Sequence, residues 1–178
     1  MRTIGANDEL LLGKPSASDG VRVWRLVKEV GSLDLNSVYS YIMLCDIFRD
    51  TCILAVKDDA VIGFVSAYRR PDRPQTLFVW QIAVASSLRG RGLGKRMLRE
   101  LLGRKENADI RYVESTIGPD NTASWRLFLR LADEKGGQSD VSECYPAKFF
   151  PEVSAHEPEL LLRIGPFIKK KEFEGVIR

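Results

Sequence analysis

The stretch Trp80–Leu102, "WQIAVASSLRGRGLGKRMLRELL", begins as a buried strand and ends as an amphipathic helix. Between the two lie three glycines and two arginines in six residues, Arg89–Gly94. A helix entered straight from a strand presents first-turn N–H groups with no partner inside the helix. The helix dipole adds partial positive charge at that end. Glycines let the backbone close on a ligand without Cβ atoms in the way. Together these features describe a pocket for a phosphate or pyrophosphate. Arg89, Arg91 and Lys95 add positive charge to it. The alternative is a plain glycine turn with basic surface residues. There is no GxxxxGK[ST] pattern, so this is not a Walker loop. The glycines follow an antiparallel hairpin, which disfavours a Rossmann unit.

Working outward, "TLFVWQIAV" is a nearly continuous apolar run, as in a central strand covered on both faces. "TCILAV" and "AVIGFVSAYR" flank "KDDA" and predict an antiparallel hairpin. "RPDRPQ" predicts a stiff proline-rich loop. Upstream, "LLLGK" is a short strand. Ser18 caps a first helix with apolar Val21, Trp24, Leu26 and Val27. "LDLNSVYSYIMLCDIF" is a second helix, capped by Asp34 or Asn36. Downstream, "RYVESTI" is a strand and "NTASWRLFLRLADE" a helix capped by Asn121. "ELLLRIG" is a late strand after an irregular stretch holding "CYPAKFFPE". The order β-α-α-β-β-β-α-β-α with a late β region is that of one mixed α/β domain.

The chain of 178 residues has room for one real core, and 44% hydrophobic with 29% charged residues is ordinary for a globular domain. A net charge of +3 without a basic stripe among aromatics gives no reason to expect nucleic acid. The three cysteines, Cys45, Cys52 and Cys144, are odd in number and lack CxxC spacing. They suit a reducing cytoplasm better than a disulfide framework or a zinc site. The one histidine, His156, excludes a histidine-rich metal centre, and no metal is expected. No apolar run approaches the ~20 residues of a membrane span. "MRTIGAND" lacks the apolar core of a signal peptide. "IKKK" belongs to a short, solvated basic tail from about residue 166.

Arg89-x-x-Gly92-x-Gly94, after a strand ending in Ile82–Val84, resembles the acetyl-CoA signature of the GCN5-related N-acetyltransferases. The resemblance implies one mixed-sheet domain over residues 1–178, helices on both faces, and acetyl-CoA as co-substrate. It implies Ile82 and Val84 beside the pantetheine arm. The phosphates fall to Arg89, Gly90, Arg91, Gly92, Gly94 and Lys95. Asn121 matches an asparagine that the family often places beside the cofactor. The segments "LDLNSVYSYIMLC", "DTCILA", "GFVSAYRRPDRPQTLFVWQIAV" and "HEPELLLRIGP" resemble a branch of that family whose substrate is the small diamino acid L-2,4-diaminobutyrate. Transfer to its γ-amine, in the synthesis of the compatible solute ectoine, is the implied activity, in a cytoplasmic homodimer. A different small amine, or a non-catalytic acetyl-CoA-binding module, is the alternative.

A diamino acid needs acidic partners for its ammonium and donors for its carboxylate. Asp34 is an acidic candidate, with helix capping as its other role. Tyr39 is preferred to Tyr41 for the pocket; the two lie on different sides of one helix. Trp80 lies beside the expected cofactor arm or in the core. Glu114, in a central strand, is costly to bury unpaired. It and Tyr39 are the catalytic candidates, since the attacking amine, with a pKa near 10, must lose a proton to a base. Glu159 is preferred to Glu157 for closing the site. Phe128 stands where many relatives carry a tyrosine that protonates the departing thiolate, so that role falls to another tyrosine or to water, or is not needed.

Overall fold

The computed structural model describes residues 10–151 and 157–167. Seven strands form one sheet in the order β1-β2-β3-β4-β5-β7-β6. They are β1 (Leu11–Gly13), β2 (Ile53–Lys57), β3 (Ala60–Arg70), β4 (Arg73–Val84), β5 (Tyr112–Ile117), β6 (Gln138–Tyr145) and β7 (Glu159–Gly165). Only β4 and β5 pair in parallel; every other neighbouring pair is antiparallel. Four α-helices cover the sheet: α1 (Gly20–Val30), α2 (Val38–Asp46), α3 (Leu93–Gly103) and α4 (Thr122–Lys135). No described helix is long and apolar enough to cross a membrane.

Two cores lie on opposite faces of the sheet. Met97, Leu98 and Leu101 of α3 and Phe128 and Leu131 of α4 pack on Leu77, Val79, Val113, Leu162 and Ile164. Val23, Leu26 and Val27 of α1 and Tyr41 and Leu44 of α2 pack on Leu54, Phe64 and Ala83. β4 feeds both cores, which explains its nearly continuous apolar run. Its alternation is reset midway. Ala67 faces Val79 and Ser66 faces Gln81, so Trp80 is the extra residue of a β-bulge. Leu77 and Val79 lie toward α3 and α4. Past the bulge Ile82 and Val84 do so, while Ala83 turns to the other side.

The β2–β3 turn falls on "KDDA" as expected, with Asp58 and Asp59 both at positive φ. "RPDRPQ" is not a loop throughout: β3 runs to Arg70 and β4 starts at Arg73, so only Pro71 and Asp72 turn. Arg70 paired with Arg73 closes this tight hairpin.

The helix starts also differ from the sequence reading. A single 3-10 turn, Ala17–Asp19, precedes α1, and Asp19 accepts the Ser16 N–H at 2.9 Å. Ser18 is therefore inside that turn, and Val21 is exposed while Val23 is buried. Neither Asp34 nor Asn36 caps α2; Ser37 does, its hydroxyl accepting the Ser40 N–H at 3.2 Å.

β6 has no counterpart in the sequence reading. Gln138–Glu143 is exposed on both faces at the sheet edge, so it carries no alternation to detect. Phe167 is buried and donates its N–H to the Arg111 carbonyl at 2.8 Å. Residues 166–167 therefore belong to the body, and "IKKK" lies outside the described residues, as do "MRTIGAND" and His156.

Candidate active site

The parallel ladder between β4 and β5 is short. Thr76, Leu77 and Phe78 pair with Tyr112, Val113 and Glu114, and the register ends there. β4 continues to Val84 and β5 to Ile117 without pairing with each other. A cleft of about 530 Å³ opens between them. Val79–Ile82 line one wall and Ser115–Gly118 the other, with Asn121, Ser124 and Phe128 behind. The loop from Gly31 to Asn36 and Glu159 at the start of β7 close its mouth.

Several residues anticipated from sequence meet here. Asp34, Trp80, Ile82, Asn121 and Glu159 all line the cleft. Trp80 is 43% exposed, because the bulge turns it out of the core. Asn121 also caps α4, its Oδ1 accepting the Ser124 N–H at 3.1 Å. Val84 does not line the cleft; its side chain packs in the α3/α4 core.

Tyr39 and Glu114 fall elsewhere. Tyr39 is 73% exposed and does not line the cleft of this chain. Tyr41 is the inward tyrosine of α2, fully buried, with its hydroxyl donating to Gln81 Oε1 at 3.1 Å. Glu114 is fully buried, yet three guanidiniums hold its carboxylate: Arg70 at 2.8 Å, Arg73 at 3.2 Å and Arg163. Arg163 also stacks on the Tyr112 ring at 3.8 Å. Three guanidiniums thus commit this carboxylate to structural ion pairs. Glu114 ties β5 to β7 and to the β3–β4 hairpin and does not line the cleft.

The glycine loop leads into α3 at the same end of the sheet. Gly92 is the N-cap of α3 at φ +79°, and Gly90 has φ +74°. Among the described residues, no atom beyond the adjoining residues lies within 4 Å of where a Cβ at either would stand. Gly94 is needed for a different reason: a Cβ there would meet Leu127 Cδ1 at 2.9 Å, so this glycine lets α3 approach α4. A second cavity of about 230 Å³ beside the α3 N-terminus is lined by Lys57, Arg91, Gly92 and Arg96 among others. A left-handed cap with open space, first-turn amides and flanking cations fits a pyrophosphate.

Of the three cations anticipated, Arg91 lines this cavity, while the side chains of Lys95 and Arg89 are engaged elsewhere. Lys95 pairs with Glu134 at 2.7 Å, and Arg99 binds the same carboxylate at 2.8 Å, which holds Glu134 below the ordinary carboxylate range. The Arg89 side chain turns back to α1, donating to the Val30 carbonyl at 3.0 Å and to Ser32 Oγ at 3.3 Å. Arg91 and Arg96 make no ion pair among the described residues. Sequence reasoning missed Arg96, Gln81, Thr116 and Ser124. Of these only Gln81 announced itself, as the one amide in an apolar strand. Among the described residues no group of His, Cys, Asp or Glu could hold a metal ion.

Residues 23–132 match the acetyltransferase (GNAT) family, and the chain belongs to it. Within that family the similarity is specific. An L-2,4-diaminobutyric acid acetyltransferase of Marinococcus halophilus is 45% identical over 167 residues, covering 94% of this chain and 96% of that one. The protein of the same name from Shouchella clausii is 48% identical over 157 residues, covering 88% and 87%. A solved diaminobutyrate acetyltransferase of Paenibacillus lautus, in complex with its substrate L-2,4-diaminobutyric acid and coenzyme A, superposes with a TM-score of 0.88. It is 48% identical and covers 92% of this chain and 98% of that one. The NatC complex bound to Gag peptide and CoA, at 15% identity and a TM-score of 0.69, shares the fold.

Proposed function

We propose that this chain transfers the acetyl group of acetyl-CoA to the γ-amine of L-2,4-diaminobutyrate, a step in ectoine synthesis. The observation that carries the reading is the cleft itself. Two carboxylate residues, Asp34 and Glu159, and the bulged Trp80 converge on the unpaired part of β4, beside the glycine-capped helix. Relatives that share 45–48% of their residues with this chain act on that diamino acid by name. Gly90–Gly94 amides with Arg91 and Arg96 hold the pyrophosphate, and the free edge of β4 past Phe78 takes the pantetheine arm. An amide of β4 near Ile82 polarises the thioester carbonyl, as oxyanion donors do. Asp34 and Glu159 anchor the α-ammonium, and Trp80 packs on the methylenes.

Reach then decides regiochemistry. With the α-amine anchored, only the γ-nitrogen comes within about 3–3.5 Å of the carbonyl carbon. Ornithine and lysine overshoot by one and two methylenes, each misplacement costing about 1–3 kcal/mol. NMR of the product and kcat/KM for the three diamines test this. The expected outcome is γ-N-acetyl product and turnover of ornithine and lysine lower by tenfold or more, on the same scale of about 1–3 kcal/mol. Predominant α-acetylation, or equal rates at all chain lengths, would show the anchoring to be wrong.

Trp80→Ala should raise the KM for the diamine roughly tenfold, a loss of about 1.4 kcal/mol of contact. Affinity for CoA and the melting temperature should stay near those of the unaltered protein, because this side chain is not in either core. A large drop in melting temperature with unchanged KM would return Trp80 to a packing role.

A cytoplasmic homodimer completes the proposal. The free thiols of Cys45, Cys52 and Cys144 suit a reducing compartment. The exposed Val141, Tyr145 and Phe149 on and beside the edge strand β6 offer a surface for a second copy.

A further inference from the structure

The loop Gly31–Asn36 brings Asp34 to the cleft, yet it contains no helix or strand of its own. Side chains from the cofactor half of the molecule hold it at both ends. Gln81 of β4 donates from Nε2 to the Asp34 carbonyl at 2.8 Å. Tyr41 sets that amide, donating its hydroxyl to Gln81 Oε1 at 3.1 Å and accepting the Asn36 N–H at 3.4 Å. Ser66 Oγ accepts the Gln81 backbone N–H at 3.1 Å, which fixes the strand beneath. Tyr41 is 0% and Gln81 6% exposed, so water does not compete strongly for these bonds. At the other end Arg89, the first residue of the glycine segment, grips the Val30 carbonyl and Ser32 Oγ.

On the functional reading above, we infer that Tyr41 and Arg89 are positioning residues for the diamine, acting through the loop that carries Asp34. The Arg89 guanidinium thereby belongs to the amine side of the reaction, although its backbone opens the phosphate loop. The physical reason is conformational entropy. Ordering a loop costs conformational entropy, and tethers that impose the order beforehand spare the substrate that cost. Loosening either tether transfers the cost to diamine binding and leaves the phosphate cradle intact. Tyr41 acts through a buried bond and Arg89 through exposed ones, so the first effect is the larger.

The test uses the full chain with Tyr41→Phe, Arg89→Ala and Arg89→Lys. For each, the KM for diaminobutyrate, kcat, the calorimetric Kd for CoA and a melting curve are measured. Tyr41→Phe removes only a hydroxyl and should raise the diamine KM about tenfold, and Arg89→Ala about threefold, as expected for lost hydrogen bonds. The Kd for CoA should stay within about twofold, since no phosphate donor is removed. Arg89→Lys, which keeps a donor near Val30, should recover part of the loss. A weaker Kd for CoA with unchanged diamine KM would make Arg89 a phosphate ligand and overturn the inference. Unchanged kinetics in folded Tyr41→Phe and Arg89→Lys would also overturn it, whether or not Arg89→Ala folds. Absence of diaminobutyrate turnover in the unaltered protein would remove the functional reading, and this inference with it.

Discussion

Gly92→Val should leave a folded protein that binds CoA about 150-fold more weakly. Gly92 stands at φ +79°, where a residue with a Cβ is strained by about 1–2 kcal/mol and a β-branched one by more. Among the described residues, no atom beyond the adjoining residues lies within 4 Å of the added Cβ, so nothing described there clashes with it. The branch instead projects where the α3 N-terminus would meet the pyrophosphate. Losing a charge-assisted contact of about 3 kcal/mol corresponds to that factor in Kd. Calorimetry with CoA, beside a melting curve, reads both quantities. Gly94→Val makes the contrast: its Cβ would meet Leu127, so stability should suffer first. Unchanged CoA affinity in folded Gly92→Val would remove the loop from the cofactor site.

Glu114→Ala should destabilise the fold by about 3 kcal/mol, the lower end for breaking a buried ion pair. The carboxylate is fully buried, but its arginine partners are 26% to 44% exposed and can partly rehydrate once released. For a chain of this size the melting temperature should fall by roughly 6–12 °C. The diamine KM and the Kd for CoA, measured well below that temperature, should change little. A large fall in kcat with an unchanged melting temperature would instead restore Glu114 as the proton acceptor.

The sequence carried the frame of the fold because its central elements obey simple periods. β4 carries a nearly continuous apolar run, α3 and α4 are amphipathic, and glycine punctuates the step between strand and helix. The turn from strand to helix was legible for the same reason: backbone demands at Gly90 and Gly92 leave a mark in residue type. What remained hidden depends on geometry that composition does not encode. The bulge at Trp80 changes which face each later residue of β4 occupies, and no residue type announces it. The choice between Tyr39 and Tyr41 turned on the start of α2 and its Ser37 cap, one to three residues from the expected start. Glu114, Arg89 and Lys95 have the right chemistry for a site, but their partners come from distant segments: Arg163, Val30 and Glu134. Those pairings exist only after folding. β6 was invisible because an edge strand exposed on both faces has no apolar side.

The short ladder between β4 and β5 also bears on what a catalytic cycle does to the sheet. Three rungs join the half that contains β1–β4 to the half that contains β5, β7 and β6. Beyond them Ser115 Oγ donates to the Val79 carbonyl at 2.9 Å, and no strand pairs with the rest of that edge of β4 up to Val84. A pantetheine arm, itself built from amides, can supply the missing rungs. On this reading the resting protein is an unfinished weave. Each turnover threads it closed with a borrowed strand and draws that strand out again with the product.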